Sequence, residues 1–342
     1  MHKLIPPRRA PAAPRRNLSW RSPRVRGVVY QSLAVIAIVL LGWLLISNTL
    51  ANMRLRGIQS GFDFLLQPAG FDIGEGWVSY DSTQPYWKAI LVGIVNTLRV
   101  AVIGCVLATV LGTLLGIARF SRNALVRGLS YSYVELFRNI PLLLQLLMWY
   151  LLFIEYLPQP QEALSIGKFI FLSKNGLSFP SLVWDGGPAR IDVPFVGEMQ
   201  IEGGSALSPE YMAVLLGLVL YTSAFIAEVV RAGIASVPTG QQEAAASIGL
   251  GRALSMRLIV LPQALRLILP PLTNQYLNLT KNSSLAVAVG YPEVVSIANT
   301  SLNQSGRAVE CIAIIMLVYL TLSLITSAFM NWFNRRAAIK ER

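Results

Sequence analysis

The chain has 342 residues, of which 54% are hydrophobic and only 13% charged, and its formal net charge at pH 7 is +12. Such an apolar composition, gathered in long runs, excludes an ordinary soluble globular enzyme. One histidine (His2) and two cysteines make no metal-ligand cluster, and the sequence has no glycine-rich phosphate loop ending in Gly-Lys-Ser/Thr. We therefore expect no catalytic residue, no metal and no cofactor on this chain.

Apolar runs long enough to cross a bilayer follow one another along the sequence. A hydrocarbon core of about 30 Å requires about 20 apolar residues per helix. The runs predict an all-α, polytopic membrane protein with about six spanning helices. They are Val28–Leu50, Ile90–Ala118, Leu129–Leu157, Tyr211–Val230, Leu261–Leu279 and Val309–Trp332. The first run is longer than the apolar part of a signal peptide, so we expect an uncleaved anchor.

Positive charge is concentrated in some of the segments between these runs. Residues 1–27 contain arginine and lysine but no acid, whereas the segments 51–86 and 158–207 are mixed or acidic. By the positive-inside rule, both termini are cytoplasmic and the two acidic segments lie outside. This asymmetry accounts for the net charge without a nucleic-acid partner, although a nucleic-acid-binding arm is the less favoured alternative for the tail PPRRAPAAPRR.

The charge pattern and the apolar runs together predict the organisation of the chain. The predicted segments are a basic tail (1–27), an extra N-terminal span (28–50), an outer loop (51–86), a core (87–332) with an outer insertion (158–207) and an inner elbow (238–262), and a second basic tail (333–342).

The elbow is a short polar stretch within this apolar chain. Thr239 and Gln242 have the spacing of a capping box, which predicts a short helix over Gln241–Ile248. Gly249 and Gly251 would end this helix in the left-handed conformation, after which a second helix begins. Physical reasoning supports equally a helix that docks on a partner and a plain interfacial helix.

Further along, the fifth run contains Pro270 and Pro271, which remove two consecutive backbone donors. We expect the helix to be broken there, so that the polar residues after the prolines form part of a gate.

The elbow also carries a family resemblance. Glu243-Ala244-Ala245, followed by Gly249, Ile259 and Leu261-Pro262 at matching spacing, resembles the EAA motif of ATP-binding-cassette importer permeases. The segments YVELFRNIPLLLQLL, SAFIAEVVRAGI, LPQALRLILPPLTNQYLNLTKNSSLAV and GFDFL resemble permeases for polar amino acids. The likeness covers residues 87–332, and the extra span and long outer loops resemble the general L-amino-acid importers. It departs at Asn139-Ile140, where many relatives have Gly-Thr.

This resemblance implies the type I importer permease fold in a bacterial inner membrane. It implies a subunit that carries amino acids from periplasm to cytoplasm, with the elbow as a coupling helix seated on a separate ATPase. The implied coupling residues are Glu243, Ala244, Ala245, Gly249, Gly251 and Arg252. The implied partners are an ATPase dimer that holds ATP and Mg, a second permease subunit (a paralogue or a second copy), a periplasmic substrate-binding protein, amino acids and membrane lipid.

Polar residues inside the predicted spans are candidates for a substrate path, because such residues are costly in lipid. Glu228, Arg138 and Asn96 are the strongest candidates, since a zwitterion needs partners for both its carboxylate and its ammonium. The alternatives are structural: Glu135 and Arg138 are spaced to pair, and arginine or lysine can snorkel to the interface. The full set is Asn96, Thr97, Arg99, Glu135, Arg138, Gln145, Ser223, Glu228, Asn274, Asn278, Lys281, Ser283 and Ser284.

Two other classes of function remain possible on the sequence. A self-sufficient secondary transporter predicts inverted repeats, which we do not find, and a membrane enzyme requires convergent catalytic residues, which are missing. The outer segments could receive a binding protein or simply cap the pore. Phe62–Leu66 predicts a short amphipathic helix on the outer face.

Overall fold

The computed structural model describes residues 23–55, 57, 60–167, 169–184, 189–198 and 200–337. The basic tail before residue 23, the end of the second tail (338–342) and the acidic Asp185 therefore lie outside the described residues. Across the described part the chain forms ten α-helices and eight short β-strands. It divides into two compact units, residues 1–60 and 61–342.

Among the described residues of the first unit there is one long helix, α1, at Pro23–Leu55. It contains the predicted span 28–50 and extends beyond it at both ends. Its length and apolar composition are sufficient to cross a membrane.

The second unit contains the remaining helices and all the described strands. Its helices are α2 (Tyr86–Ala118), α3 (Ala124–Asn139), α4 (Leu142–Tyr156), α5 (Pro209–Ala235), α6 (Thr239–Ser247), α7 (Arg252–Ser255), α8 (Leu261–Asn282), α9 (Val294–Ser305) and α10 (Ala308–Ala337). Within the described residues, five helical segments can each cross a membrane: α1, α2, α5, the continuous stretch from α7 through α8, and α10. The pair α3–α4 makes a sixth if it is counted as one span.

The third predicted span, Leu129–Leu157, is not one continuous helix. α3 and α4 meet at an angle of 104°, and Ile140 between them is extended, with φ −97° and ψ 128°. Pro141 favours the bend, because helical geometry is disfavoured for the residue before a proline. Gln145 holds the bend closed, since its Nε2 donates to the backbone carbonyls of Phe137 (3.0 Å) and Ile140 (2.9 Å).

The predicted break at Pro270-Pro271 is wrong, because α8 continues through both prolines. Proline fixes φ near the helical value, so the pair removes two donors without forcing the backbone out of the helix. The helix changes character later, where Ser283–Val289 forms a 3₁₀ segment that ends at Gly290 with φ +80°.

The helices α2 and α5 pack closely at the centre of the second unit. More than half of the most apolar stretch of α5 is buried. Gly112 of α2 lies so near α5 that an added Cβ would stand 2.7 Å from the Cβ of Ile226. Gly116 repeats the contact one turn on, 2.8 Å from the Cβ of Val230. Glycine therefore brings the two backbones together, as is common between membrane helices.

The insertion between α4 and α5 is built of antiparallel strands, which its polar composition did not predict. One sheet has the order β1 (Leu164–Ile166), β2 (Ile170–Ser173), β3 (Gly176–Phe179) and β8 (Ser205–Leu207). Two hairpins pair β4 (Ser181–Val183) with β5 (Arg190–Asp192) and β6 (Phe195–Val196) with β7 (Ile201–Glu202). Short apolar runs separated by glycine and proline were the available signal.

The loop before α2 packs on the same end of the helices as the insertion, and this end is named the loop end. Instead of an amphipathic helix it contains one 3₁₀ turn, Asp63–Leu66. Phe64 in this turn is buried and meets the ring of Tyr86 edge-on, with centroids 5.4 Å apart. The opposite end, where α5 leads into α6, is named the elbow end.

Candidate functional site

A cavity of about 360 Å³ near the elbow end contains two of the strongest predicted path residues, Arg138 and Glu228. Arg138 belongs to α3 and Glu228 to α5, while Pro271 and Gln275 of α8 line the opposite wall. The Arg138 guanidinium lies 5.3 Å from the centre of the Phe225 ring, at cation–π distance. Three helices therefore bring a positive and a negative side chain to one cavity.

Glu228 is held by two arginines. Its Oε1 accepts from Arg231 Nη2 at 2.5 Å, one turn along α5, and its Oε2 accepts from Arg119 Nη1 at 2.5 Å. Glu228 and Arg231 have the same three-residue spacing as Glu135 and Arg138, and here the two side chains do form an ion pair. Arg119 follows the last residue of α2, and no local pattern in the sequence marked it as a partner of Glu228.

Glu135 and Arg138 do not form the pair that their spacing allows. The backbone carbonyl of Glu135 accepts from Asn139 Nδ2 at 2.6 Å, and Arg138 turns to the Phe225 ring instead. Because Arg138 does not donate to Glu135, its guanidinium donors are available to the cavity.

One face of α8 is polar and exposed although the helix can span a membrane. Asn274, Asn278 and Lys281 follow at intervals of four and three residues and therefore share this face. The opposite face is buried and carries Ile268 and Leu279. An amide face of this kind is not stable against lipid, so it must adjoin protein or water.

Ser283 and Ser284 lie just beyond that face, at the start of the 3₁₀ segment. Ser283 is buried and donates to the carbonyl of Thr280 at 2.7 Å. Ser284 donates to the carbonyl of Lys281 at 2.7 Å. Both hydroxyls satisfy local backbone groups, and of the two only Ser284 is partly accessible.

Asn96, Thr97 and Arg99 lie together toward the loop end and are buried. Asn96 Nδ2 donates to the carbonyls of Glu75 and Pro292, both at 2.9 Å. Thr97 Oγ1 accepts from the backbone NH of Val294 at 3.2 Å. These contacts fasten both the loop before α2 and the start of α9 to α2.

Arg99 does not snorkel to the interface. Its Nη1 donates to Glu75 Oε1 at 2.7 Å, and both side chains are largely buried. The sequence identified Glu75 only as one of several outer-loop acids, so nothing local marked it as the partner of Arg99.

Ser223 and Gln145 connect helices rather than line the cavity near the elbow end. Ser223 Oγ lies 2.8 Å from Tyr133 Oη, which also donates to the carbonyl of Leu220 at 3.0 Å. Together with the Gln145 bonds at the bend, these contacts fix α3 against α5 and α4.

The elbow begins with α6, whose start differs from the prediction. α6 already includes Thr239, and Pro238 precedes it without a side-chain capping bond. The capping box of Thr239 and Gln242 is therefore absent, because Thr239 is inside the helix rather than before it.

The end of α6 agrees with the prediction at one glycine and differs at the other. Gly249 has φ +81°, so it supplies the left-handed stop. Gly251 has φ −64° and ψ 157° and instead precedes α7 as its N-cap. The left-handed conformation of Gly249 alone ends α6, so Gly251 can adopt an extended conformation.

The exposed surface of the elbow combines a carboxylate with apolar side chains. Glu243 and Ala244 are exposed, whereas Ala245 is buried. Ile248 and Leu254 are large, apolar and exposed on the same elbow. Arg252 is exposed as well, in the first turn of α7. A surface with these features is suited to docking against another molecule.

Comparison of the sequence with known proteins identifies the family to which the chain belongs. The model of the family described as "binding-protein-dependent transport system inner membrane component" matches residues 108–339. The chain is 42% identical to the general L-amino acid transport system permease protein of Rhizobium johnstonii, and the match covers 94% of each chain. The chain belongs to this family of permeases.

Two further relatives agree with this assignment. The permease is 34% identical to the glutamate/glutamine/aspartate/asparagine transport system permease protein of Rhodobacter capsulatus, across 93% of this permease and 95% of the relative. Its fold matches a crystal structure of an amino acid ABC transporter with a TM-score of 0.55 and 25% identity, across 73% of the permease and 95% of that chain. The predicted resemblance and the helical type I importer fold are confirmed. The protein is the permease subunit of an amino-acid ABC importer.

Proposed function

We propose that this permease moves amino acids from the periplasm to the cytoplasm along α3, α5 and α8, and that a separate ATPase drives the movement through the elbow. The observation that carries the proposal is the cavity between these helices, which Arg138 and Glu228 line together with mostly apolar side chains. In this orientation the loop end is periplasmic, and the elbow and both termini are cytoplasmic, as the positive-inside pattern indicates.

The chemistry of the cavity suits a zwitterion. Arg138 can donate in parallel to a carboxylate, and Glu228 can accept from an ammonium. Arginine is in excess around the cavity, because Arg119 and Arg231 both pair with Glu228. This excess favours solutes that bring a carboxylate, which every amino acid does.

A second permease subunit is proposed to cover the polar face of α8. Asn274, Asn278 and Lys281 are exposed on this chain, and a bilayer cannot satisfy their hydrogen bonds. A paralogue or a second copy of this chain that presents a similar face would enclose a polar path between the two subunits. Lipid then contacts only the apolar outer helices.

The elbow is proposed to dock in a groove of the ATPase dimer. Glu243 is the exposed charge of α6, and Ala244 leaves room for close approach. Gly249 sets the direction of the chain, Gly251 starts α7, and Arg252 adds a second exposed charge. ATP and Mg are then bound by the ATPase, and the binding protein docks on the periplasmic loops.

This arrangement gives the ATPase a mechanical connection to the cavity. α6 is joined to α5 by the short segment 236–238, and α7 continues through a π-helical turn, Met256–Val260, into α8. α5 and α8 are two walls of the cavity. A displacement of the elbow is therefore transmitted directly to both walls.

Reconstitution tests the proposal. The permease is copurified in mild detergent with its ATPase and binding protein, and the complex is placed in liposomes that contain ATP. We expect ATP-dependent amino-acid uptake, which Glu243→Lys reduces together with ATPase copurification. Gln241→Lys adds a positive charge to the same exposed helix without removing the carboxylate, and serves as the control.

Uptake that persists without the ATPase would contradict the proposal in favour of a secondary transporter. Normal uptake and normal copurification of Glu243→Lys would contradict the role of the elbow.

A further inference from the structure

The side chain of Arg99 is enclosed at the loop end between two aromatic rings. Its guanidinium carbon lies 4.1 Å from the centre of the Tyr211 ring and 5.0 Å from that of Trp77. Tyr211 is buried, whereas Trp77 is 68% exposed and covers the arginine from outside. An arginine stacked in this way keeps its edge free for planar, bidentate recognition of a carboxylate.

The carboxylate at that edge belongs to Glu75, in the loop before α2. Arg99 Nη1 donates to its Oε1 at 2.7 Å, and Ser208 Oγ donates to its Oε2. Asn96 also donates to the backbone carbonyl of Glu75. One glutamate thus links the loop to α2 and to the start of α5, and Trp77 follows it two residues later.

A cavity of about 440 Å³ with both polar and apolar walls adjoins Glu75 and Ser208. This volume is in the range of small-molecule sites. Asp72 and Glu210 also line the cavity and provide acceptors for an ammonium group. One oxygen of each is already bonded, since Asp72 Oδ1 accepts from the backbone NH of Ser82 at 2.9 Å and Glu210 Oε1 accepts from Tyr150 Oη at 3.3 Å. The cavity therefore adjoins an arginine-bound carboxylate and two further carboxylates.

Two buried polar atoms on residues that contact Glu75 lack a hydrogen-bond partner among the described residues. They are Arg99 Nε and Asn96 Oδ1. Buried polar atoms are nearly always paired, so an unpaired donor and an unpaired acceptor about one helical turn apart indicate that the arrangement around Arg99 is incomplete. A carboxylate with an α-ammonium supplies both an acceptor and a donor.

We propose that Arg99 is a carboxylate site for the incoming amino acid and that Glu75 occupies it in place of the substrate. When an amino acid enters the cavity, its carboxylate displaces that of Glu75 from Arg99 while its ammonium meets Asp72 or Glu210. The loop carrying Glu75 and Trp77 is then released from α2 and α5. Glu75 is a latch that a zwitterion opens by competition.

The inference rests on the proposed function, because it assumes that amino acids arrive at the loop end. It adds a quantitative consequence. A site that is free for only a fraction of the time binds its ligand more weakly by that fraction. If the latch is closed for about 90% of the time or more, its removal tightens binding about tenfold or more.

The test measures binding and uptake with the complete importer in lipid nanodiscs and liposomes. L-alanine and L-alaninamide are the probes, since they share the ammonium and methyl groups and only the former has a carboxylate. For Glu75→Gln we expect at least tenfold tighter binding of L-alanine and no gain for L-alaninamide. Unchanged or weaker binding of L-alanine, or an equal gain for the amide, overturns the latch.

Asp81→Asn is the matched control, because it removes a carboxylate from the same loop. Asp81 is exposed, its described hydrogen bonds are with Thr83 and not with Arg99, and those bonds lower its pKa. We expect this variant to bind L-alanine as the wild type does. A gain equal to that of Glu75→Gln overturns the proposal.

If Glu75→Gln fails to fold, Trp77→Ala tests the latch instead. Trp77 is exposed, so its replacement is not expected to prevent folding. Loss of its ring loosens the latch, and we expect tighter L-alanine binding, whereas unchanged binding overturns the latch. ATP-driven uptake by the wild type separates the two proposals. If the wild type takes up none of the twenty amino acids, the proposed function is contradicted. If the wild type takes them up but Glu75→Gln and Trp77→Ala bind L-alanine as the wild type does, only the latch is contradicted.

Discussion

Two arginine–glutamate clusters involve α2, one in its first half at Arg99 and the other just after its last residue at Arg119, and they differ in their surroundings. At the loop end, the side chains of Arg99 and Glu75 are 5% and 14% exposed and are enclosed by aromatic rings. At the elbow end, the side chain of Glu228 is 28% exposed and is shared by two arginines, of which Arg231 is 36% exposed. The first cluster is a more deeply buried pair of one arginine with one glutamate, and the second is a more exposed glutamate shared by two arginines.

This difference indicates two uses of the same chemistry. A buried, isolated pair is costly to break, because each charge is left without solvent. It therefore holds two segments in one arrangement until another charge replaces a partner. Breaking a partly exposed ion pair costs less free energy, because solvent and the second arginine replace the lost contact. Such a pair suits a place where solutes pass.

The largest expected effect is on uptake, from Glu228→Gln. Arg119 and Arg231 lose their shared carboxylate, and the cavity loses the acceptor for an ammonium. We expect at least a tenfold fall in ATP-driven uptake, with basic amino acids most affected. Glu135→Gln on α3 is the control, since Glu135 contacts Asn139 and not the arginines of the cluster. Equal uptake of acidic, neutral and basic amino acids by Glu228→Gln and the wild type would remove Glu228 from the path.

Double-mutant cycles measure the difference between the clusters directly. We expect a coupling energy of about 2–3 kcal/mol for Glu75 with Arg99, because both are buried. For Glu228 with Arg231 we expect about 0.5–1 kcal/mol, because solvent and Arg119 compensate. Chemical denaturation in detergent supplies the four stabilities for each cycle. A larger coupling at the elbow end would reverse the assignment of latch and path.

The connection from the elbow to the cavity is tested by two glycines of the same loop. Gly249 has φ +81° and Gly251 has φ −64°, and an added Cβ meets nothing within 4 Å at either. Gly249→Ala therefore costs about 1–2 kcal/mol of backbone strain, whereas Gly251→Ala is unstrained. We expect uptake to fall several-fold only for Gly249→Ala. A similar fall for both would show that surface contact, not backbone direction, is what the glycines supply.

The smallest effect is in side-chain accessibility along α8. With Cys105 and Cys311 replaced, a cysteine at position 278 should react with a water-soluble thiol reagent, because Asn278 is exposed on the polar face. A cysteine at position 283 should react slowly, because Ser283 is buried. The reactivity at 278 is expected to change with the nucleotide state of the ATPase. Uniform protection in all states would place that face against protein rather than along a watered path.

Local patterns in the sequence accounted for most of the elements. Apolar run length predicted α1, α2, α5, α8 and α10, because a bilayer requires the same length wherever a helix lies in the fold. The left-handed stop at Gly249 was likewise predictable, since only glycine adopts that conformation at little cost. The EAA spacing identified the family before any contact was known.

Prolines show where local patterns become insufficient. Pro141 bends the chain by 104°, whereas Pro270 and Pro271 leave α8 continuous. The difference arises outside the proline rings. At Pro141 the preceding residue is extended and Gln145 caps the turn, while at Pro270 the helix packs on α5, where Gly233 admits Ile268. Packing partners of this kind are remote in sequence.

The sequence by itself determined the membrane-spanning class, the positions of most spans, the elbow and the family, because each depends on residue type, spacing or helix length alone. Only the tertiary structure decided which charges meet. Glu75 and Arg99 lie in a loop and a helix, and Arg119 reaches Glu228 across more than 100 positions of the chain. Ion-pair partners are chosen by the packing of α2 against α5, through glycines whose role is visible only when the two helices are side by side.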